Sequence, residues 1–193
     1  MYLLRKPSEL QIQRFLEDQA PREFTYPEIG GTRTRSFPAG YTIDETRVQL
    51  GHGPVVFERA TAALKHWQQF KIPWLKLYSP AEAIQPGTTV GLLVRSPGLW
   101  VLNACRVVYV VDEVGPIRRF GYAYGTLQEH AESGEELFQA EWNSADDTVW
   151  FNILAFSKPW QWQARIAKPY VRSRQKQFAV DCTRAMQKAV GDL

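Results

Sequence analysis

The sequence predicts an α+β fold, a curved antiparallel β-sheet packed against one long C-terminal helix. Three observations carry that prediction. Residues 74–156 divide into short apolar runs separated by Pro, Gly, Asp or Ser, the pattern of strands joined by tight turns. The chain then closes on a segment with Val171, Phe178, Cys182, Met186 and Ala189 at helical spacing, and Arg174, Lys176, Arg184 and Lys188 on the opposite side. In the strand ending at Phe156, both Val149, Phe151, Ile153, Ala155 and the alternate Trp150 and Leu154 are apolar, so one face is core and the other a cavity wall or partner surface.

The elements follow in order. Ser8 with Gln11 makes a capping-box pattern, and Leu10, Ile12, Phe15 and Leu16 give a short amphipathic helix that ends before Pro21. Residues 21–53, rich in Gly, Pro and Thr, read as loops with one strand near 42–50. Gly53-Pro54 opens a helix with Phe57, Ala60, Leu64, Trp67 and Phe70 near one face until Pro73 stops it. Strands are expected at 74–78, 88–95, 99–111, 119–127, 135–143 and 148–156, and their sequential order favours an antiparallel meander. Residues 160–167 follow, with a break near Pro169 before the final helix. No repeat or linker divides the chain, so a single domain is expected over 1–193, with 1–23 a helical extension.

Composition bounds the function. A 193-residue chain with 45% hydrophobic and 13% aromatic content can bury a sizeable core, which excludes global disorder. Cys105 and Cys182 lack the spacing of a zinc or redox pair and read as reduced, packed thiols, a cytoplasmic pattern. The start, Met1-Tyr2-Leu3-Leu4-Arg5-Lys6-Pro7, has no signal-peptide core, and no apolar run is long enough for a bilayer, so integral membrane association is not expected. Net charge is only +3 but is segregated. Residues 120–157 contain Glu129, Glu132, Glu135, Glu136, Glu141, Asp146 and Asp147 and, after Arg119, no Lys or Arg until Lys158. The basic final segment either docks beside those acidic hairpins or faces water. A basic helix without a binding-fold signature does not make a nucleic-acid protein.

Two places carry chemistry. In Tyr124-Gly125-Thr126-Leu127, followed by His130 and Gly134-Glu135-Glu136, Tyr122, Tyr124 and Thr126 share one strand face while Gly121, Ala123 and Gly125 leave the other open to close approach. The residues read first as a hairpin with solvated acids and a turn-bonding His130, and second as an imidazole and carboxylates meeting at one rim of the sheet, an arrangement that suits a general base. The spacing matches no metal-ligand motif. Arg106 lies on the face of Trp100, Leu102, Ala104, Val108 and Val110, where an unpaired charge is costly. It pairs with Glu135, Glu136 or another acid, or it binds a ligand anion.

Several separated motifs give a resemblance. Tyr26-Pro27-Glu28-Ile29-Gly30 with Thr32-Arg33, Leu50-Gly51-x-Gly53 leading to Phe57, Ala60 and Trp67, the Tyr124 to Glu136 block, and Phe156-Ser157-x-Pro159 resemble the DUF1990, or UPF0548, family over residues 24–190. The resemblance implies a START-like, Bet v1-like helix-grip fold, a group that commonly encloses lipids, steroids, polyketides or other apolar molecules, and it implies no reaction. Together these readings predict a small hydrophobic or amphipathic ligand between sheet and C-terminal helix, with no cofactor and no metal. Phe138, Trp142, Phe151 and Phe178 are expected to hold its apolar bulk, and Arg106, Tyr124, Thr126 and His130 its polar groups. The enzyme alternative, a cyclase, isomerase or hydrolase, uses His130 or Glu135 to move a proton and Tyr124 to polarise the substrate. A third alternative is an interaction domain that takes no ligand.

Overall fold

A computed structural model describes residues 1–79 and 83–191. Strands β3 (Leu75–Tyr78), β4 (Thr89–Ser96), β5 (Leu99–Glu113), β6 (Ile117–Thr126), β7 (Glu132–Asn143) and β8 (Thr148–Pro159) form the expected antiparallel meander. The loop region contributes β2 (Thr42–His52), longer than its sequence suggested, which crosses to the far edge and pairs with β8. A two-residue strand, β1 (Tyr2–Leu3), pairs with β5 at Val101 and Trp100, beyond the point where β6 leaves it at Cys105. The sheet therefore follows the order β2-β8-β7-β6-β5-β4-β3.

Helix α1 (Glu9–Gln19) begins with the predicted reciprocal cap between Ser8 and Gln11. Its buried Ile12, Phe15 and Leu16 cover the outer side of the sheet over Leu93, Leu102, Ala104 and Leu127. After the short α2 (Gly31–Thr34) and β2, α3 (Pro54–Lys65) has Pro54 in its first turn, where a missing N–H costs nothing. The expected continuation to Phe70 does not occur. Trp67 takes a left-handed conformation, φ 55°, and a 3-10 turn, Gln68–Phe70, replaces the last helical turn. That break seats the Trp67 ring against Tyr122, with centroids 4.7 Å apart.

A small α4 (Trp162–Ile166) precedes α5 (Lys168–Gly191), which lies across the inner face. Cys182, Met186 and Val190 of α5 join Phe57, Leu64, Phe70, Phe138 and Phe151 in the main core. These side chains fill one half of the space between sheet and helix. The other half, under the first turns of α5, stays open.

Candidate functional site

The open half is a cavity of about 720 Å³ between the inner face and α5. Its walls are apolar, among them Leu75, Leu92, Val94, Val101, Ile153 and Phe178. The space exists because the chain places small residues there: Ala131, Gly134 and Ala155 on the sheet side, Ala164, Ala167 and Ala179 on the helical side. A pocket of this size with few polar groups suits a small organic molecule.

The polar groups gather around β7. Strand alternation puts Glu132, Gly134 and Glu136 on the inner face, and Gly134 is glycine because a Cβ there would meet the Phe156 carbonyl oxygen of β8 at 1.9 Å. Glu136 accepts a hydrogen bond from the Tyr124 hydroxyl at 2.8 Å. Glu132 accepts one from Gln175 Nε2, which also reaches Ser157 Oγ at 2.8 Å. Neither forms an ion pair among the described residues; Arg172, whose charge acts on Glu132, is held by both oxygens of Asp44 at 2.6 and 2.8 Å. Burial pushes Glu136 up to about 7 against the pull of Tyr124, and pushes Glu132 up to about 8, helped by its neighbour Glu136. At neutral pH the cavity therefore contains carboxyls near the midpoint of titration.

His130 lines the same cavity. Its Nδ1 accepts from the Glu132 N–H at 2.9 Å, so the lone pair is engaged and the proton sits on Nε2. The Glu132 carbonyl, 3.0 Å from the same Nδ1, receives no hydrogen from it. Burial pushes the imidazole down to about 4, which keeps it neutral. A neutral ring with its only lone pair occupied is a donor, not a ready base, so the sequence-based role of His130 in taking a proton is not supported by this geometry.

Glu135 points the other way. On the outer face its carboxyl accepts from Tyr26 Oη at 2.8 Å, Gly30 N at 2.7 Å, Thr32 N at 2.9 Å and the Thr32 hydroxyl. Tyr109 Oη lies 2.7 Å from that hydroxyl. These contacts tie the Tyr26–Thr32 loop to the sheet and leave no free lone pair aimed at the cavity. Glu135 is thus a structural anchor, which corrects its place among candidate proton carriers.

Arg106 is also on the outer face, away from the cavity, and among the described residues it meets backbone carbonyls rather than a carboxylate. Its guanidinium donates to the carbonyls of Gln19, Ala20 and Arg22 at 3.4, 2.6 and 2.6 Å, closing the C-terminal end of α1, and stacks over Phe24. Helix-end carbonyls supply the negative ends of dipoles, so no carboxylate is needed. A bulge between Val107 and Tyr109 further turns Val110 onto the inner face, away from Arg106.

Of the remaining candidates, Tyr124, Thr126 and Phe178 line the cavity. Phe138, Phe151 and Trp142 do not. Phe138 and Phe151 are fully buried in the packed half, and Trp142 lies against Phe57 there while its Nε1 donates to Asp147. Strand alternation gave these three their face correctly but not their position along the strand. The basic segment docks beside the acidic hairpin through Gln175 on Glu132, but among the described residues its ion pairs go elsewhere: Arg172 bridges to Asp44 of β2, and Glu141 takes Arg47 and Arg119.

The arrangement can be compared with known proteins. The family model described as a domain of unknown function, DUF1990, matches residues 25–185. The chain belongs to this family. A UPF0548 protein of Dictyostelium discoideum is 36% identical over 209 residues, covering 99% of this chain and 96% of the relative. Among solved structures, the START superfamily protein from Mycobacterium smegmatis superposes with a TM-score of 0.51 at 11% identity, over 78% of this chain and 97% of that one. The Zhui aromatase/cyclase from Streptomyces gives 0.52 at 12% identity, over 78% and 93%. At such identities the likeness is one of fold, START/Bet v1-like, as the sequence resemblance implied.

In this DUF1990 chain the residues missed by sequence reasoning are Asn103, Asp44, Arg172 and Gln175. Asn103 shares the inner face with Val101 and Cys105, a position that alternation reveals once the inner face is known. Asp44, Arg172 and Gln175 come from β2 and α5, far from β7 in sequence, and carry no local motif. Among the described residues no group of three or more His, Cys, Asp or Glu is placed to hold a metal ion, and no helix is long and apolar enough to cross a membrane.

Proposed function

We propose that this DUF1990 chain binds a small hydrophobic or amphipathic molecule in the cavity between sheet and α5. The observation that carries this reading is the cavity itself, about 720 Å³ with apolar walls and a polar group of Tyr124, Glu132, Glu136, His130 and Asn103 at one end. Apolar walls of this extent left to water are costly, and an apolar occupant covers them. A polar end and apolar walls fit a ligand of the same two-sided character. The buried, unpaired thiols of Cys105 and Cys182 support a cytoplasmic address.

Native mass spectrometry of protein purified without detergent tests the reading. One bound molecule, lost on denaturation and recovered by organic extraction, is the expected result. A chain that stays at its bare mass, and takes up nothing from a panel of lipids and isoprenoids, contradicts it.

A second reading has one specific observation behind it: the Tyr124–Glu136 contact at 2.8 Å, with Glu136 pushed up to about 7. A carboxyl titrating near neutral pH beside a bound substrate can give or take a proton. Turnover of the extracted molecule that disappears in Glu136→Gln while binding persists would favour an enzyme. Glu136 replaces His130 and Glu135 as the proton-moving candidate in that case.

A further inference from the structure

Two cavity side chains are fixed by consecutive N–H groups of one turn. The Ala131 N–H donates to Asn103 Oδ1 at 3.0 Å, and the Glu132 N–H donates to His130 Nδ1 at 2.9 Å. Each contact consumes an acceptor. What remains on each side chain is a donor, the Asn103 Nδ2–H pair and the His130 Nε2–H. Neither has a protein partner among the described residues, and both side chains line the cavity.

Asn103 is the more telling of the two. It is 7% exposed, and its amide nitrogen is not among the fully enclosed unpaired atoms, so its free hydrogens open onto the cavity space. The amide is oriented by the turn rather than free to seek another protein contact, so a ligand acceptor that reaches it gains a pre-placed donor. The imidazole has the same constraint, and its low affinity for a second proton keeps Nε2 a neutral donor at physiological pH.

We propose that Asn103 Nδ2 and His130 Nε2 form a two-donor cradle for an uncharged carbonyl oxygen, so that the cavity ligand is an apolar molecule carrying a ketone, aldehyde or ester group. The proposal rests on the reading that the cavity binds a ligand. A carboxylate head offers the same acceptor oxygen and would add a charge to a cavity lined by Glu132 and Glu136 as well as by Arg174 and Lys176, so it is the competing head group that the test must separate. An ammonium head suits the acids and brings donors to a cradle that needs an acceptor. A bare hydrocarbon leaves both N–H groups unpaired. Only a neutral acceptor satisfies the donors without charging the cavity.

The test is a chain-matched series, decane, 2-decanone, decanoate and decylamine, each displacing the fluorophore N-phenyl-1-naphthylamine from the intact protein at neutral pH. The expected result is that 2-decanone binds about tenfold more tightly than decane, the scale of two added hydrogen bonds, and more tightly than either charged analogue. Equal affinities for decane and 2-decanone, or tightest binding by decanoate or decylamine, overturn the cradle and leave the cavity reading standing. Failure of the fluorophore and of all four probes to bind overturns both.

The carbonyl reports directly as well. The C=O stretch of carbonyl-¹³C 2-decanone should lie at lower frequency in the protein than in alkane solvent, and Asn103→Leu should move it part of the way back. Should that variant not fold, the unaltered protein still decides, because a stretch at its alkane-solvent position there overturns the proposal.

Discussion

Glu135 and Glu136 are neighbours on β7 and meet opposite fates. Glu135, on the outer face, is 2% exposed and accepts from Tyr26, from the backbone of Gly30 and Thr32, and from the Thr32 hydroxyl. Glu136, on the inner face, has only Tyr124 as a donor among the described residues and looks into the cavity. The first is saturated by its own chain, and the second is left with capacity for something else. The same contrast separates the two faces of the sheet. The outer face is covered by α1 and the Tyr26–Thr32 loop, with Arg106 closing the helix end; the inner face is filled over one half and open over the other. A side chain whose hydrogen bonds are complete holds the fold, and one whose hydrogen bonds are incomplete beside a cavity is available to a ligand.

The sharpest way to break this contrast is to exchange the treatment of the two glutamates. Glu135→Ala leaves four donors without their acceptor and releases the loop from the sheet. A loss of about 3–5 kcal/mol in urea unfolding is expected. A loss under about 1 kcal/mol would show that the outer anchor is not what its hydrogen bonds suggest.

Next in size is Gly125→Ala. A Cβ at this position would sit 2.0 Å from Tyr26 Oη and 2.8 Å from its ring, and Tyr26 cannot yield without leaving Glu135. Overpacking of this kind costs about 1–3 kcal/mol, read by the same unfolding curves. In Tyr26→Phe, which removes the hydroxyl, the same alanine should cost less.

The inner carboxyls predict a pH dependence of definite sign. Glu132 and Glu136 stand at about 8 and about 7 in the folded protein against an ordinary 4.5. The folded state therefore holds more protons than the unfolded chain between these values. Their contribution is fully present below about 4.5 and is lost as pH rises through about 7 to 8, so stability should fall across that window. Each group contributes at most about 1.4 kcal/mol per pH unit. Thermal or urea unfolding at a series of pH values checks this, and the double variant Glu132→Gln, Glu136→Gln should flatten the slope.

Smallest of all is Glu136→Gln at neutral pH. The amide keeps an oxygen for Tyr124 and removes a carboxyl that forms no ion pair among the described residues, so stability should change by less than about 1 kcal/mol in either direction. The difference between this substitution and Glu135→Ala measures the contrast between the faces.

Much of the fold was legible because its determinants are local. Strand breaks at Pro, Gly and Asp, the Ser8–Gln11 cap and the apolar stripe of α5 each announce themselves within a few residues. Where the local pattern failed, a tertiary contact had prevailed, as at Trp67, whose left-handed backbone seats its ring on Tyr122. The site was less legible for three physical reasons. Alternation separates Glu135 from Glu136 but does not say which face is inside when both are apolar. The partners of Arg106 are backbone carbonyls, which every residue has and no sequence pattern marks. The open half of the cavity depends on small residues from β7, β8, α4 and α5 meeting in space, so the aromatic residues that fill the other half, Phe138, Phe151 and Trp142, looked like equally good lining.

The central claim is that the inner face has a built space for an apolar ligand, about 720 Å³ against about 350 Å³ for the recess beside α1 on the outer face. Saturable binding of N-phenyl-1-naphthylamine to the native protein and to Ala179→Trp tests it most directly, since Ala179 lies on α5 against the cavity and a tryptophan there fills it. The account predicts one-to-one binding by the native protein and its loss in Ala179→Trp, with the unfolding midpoint little changed. Equal binding by both proteins, or none by either, would contradict it.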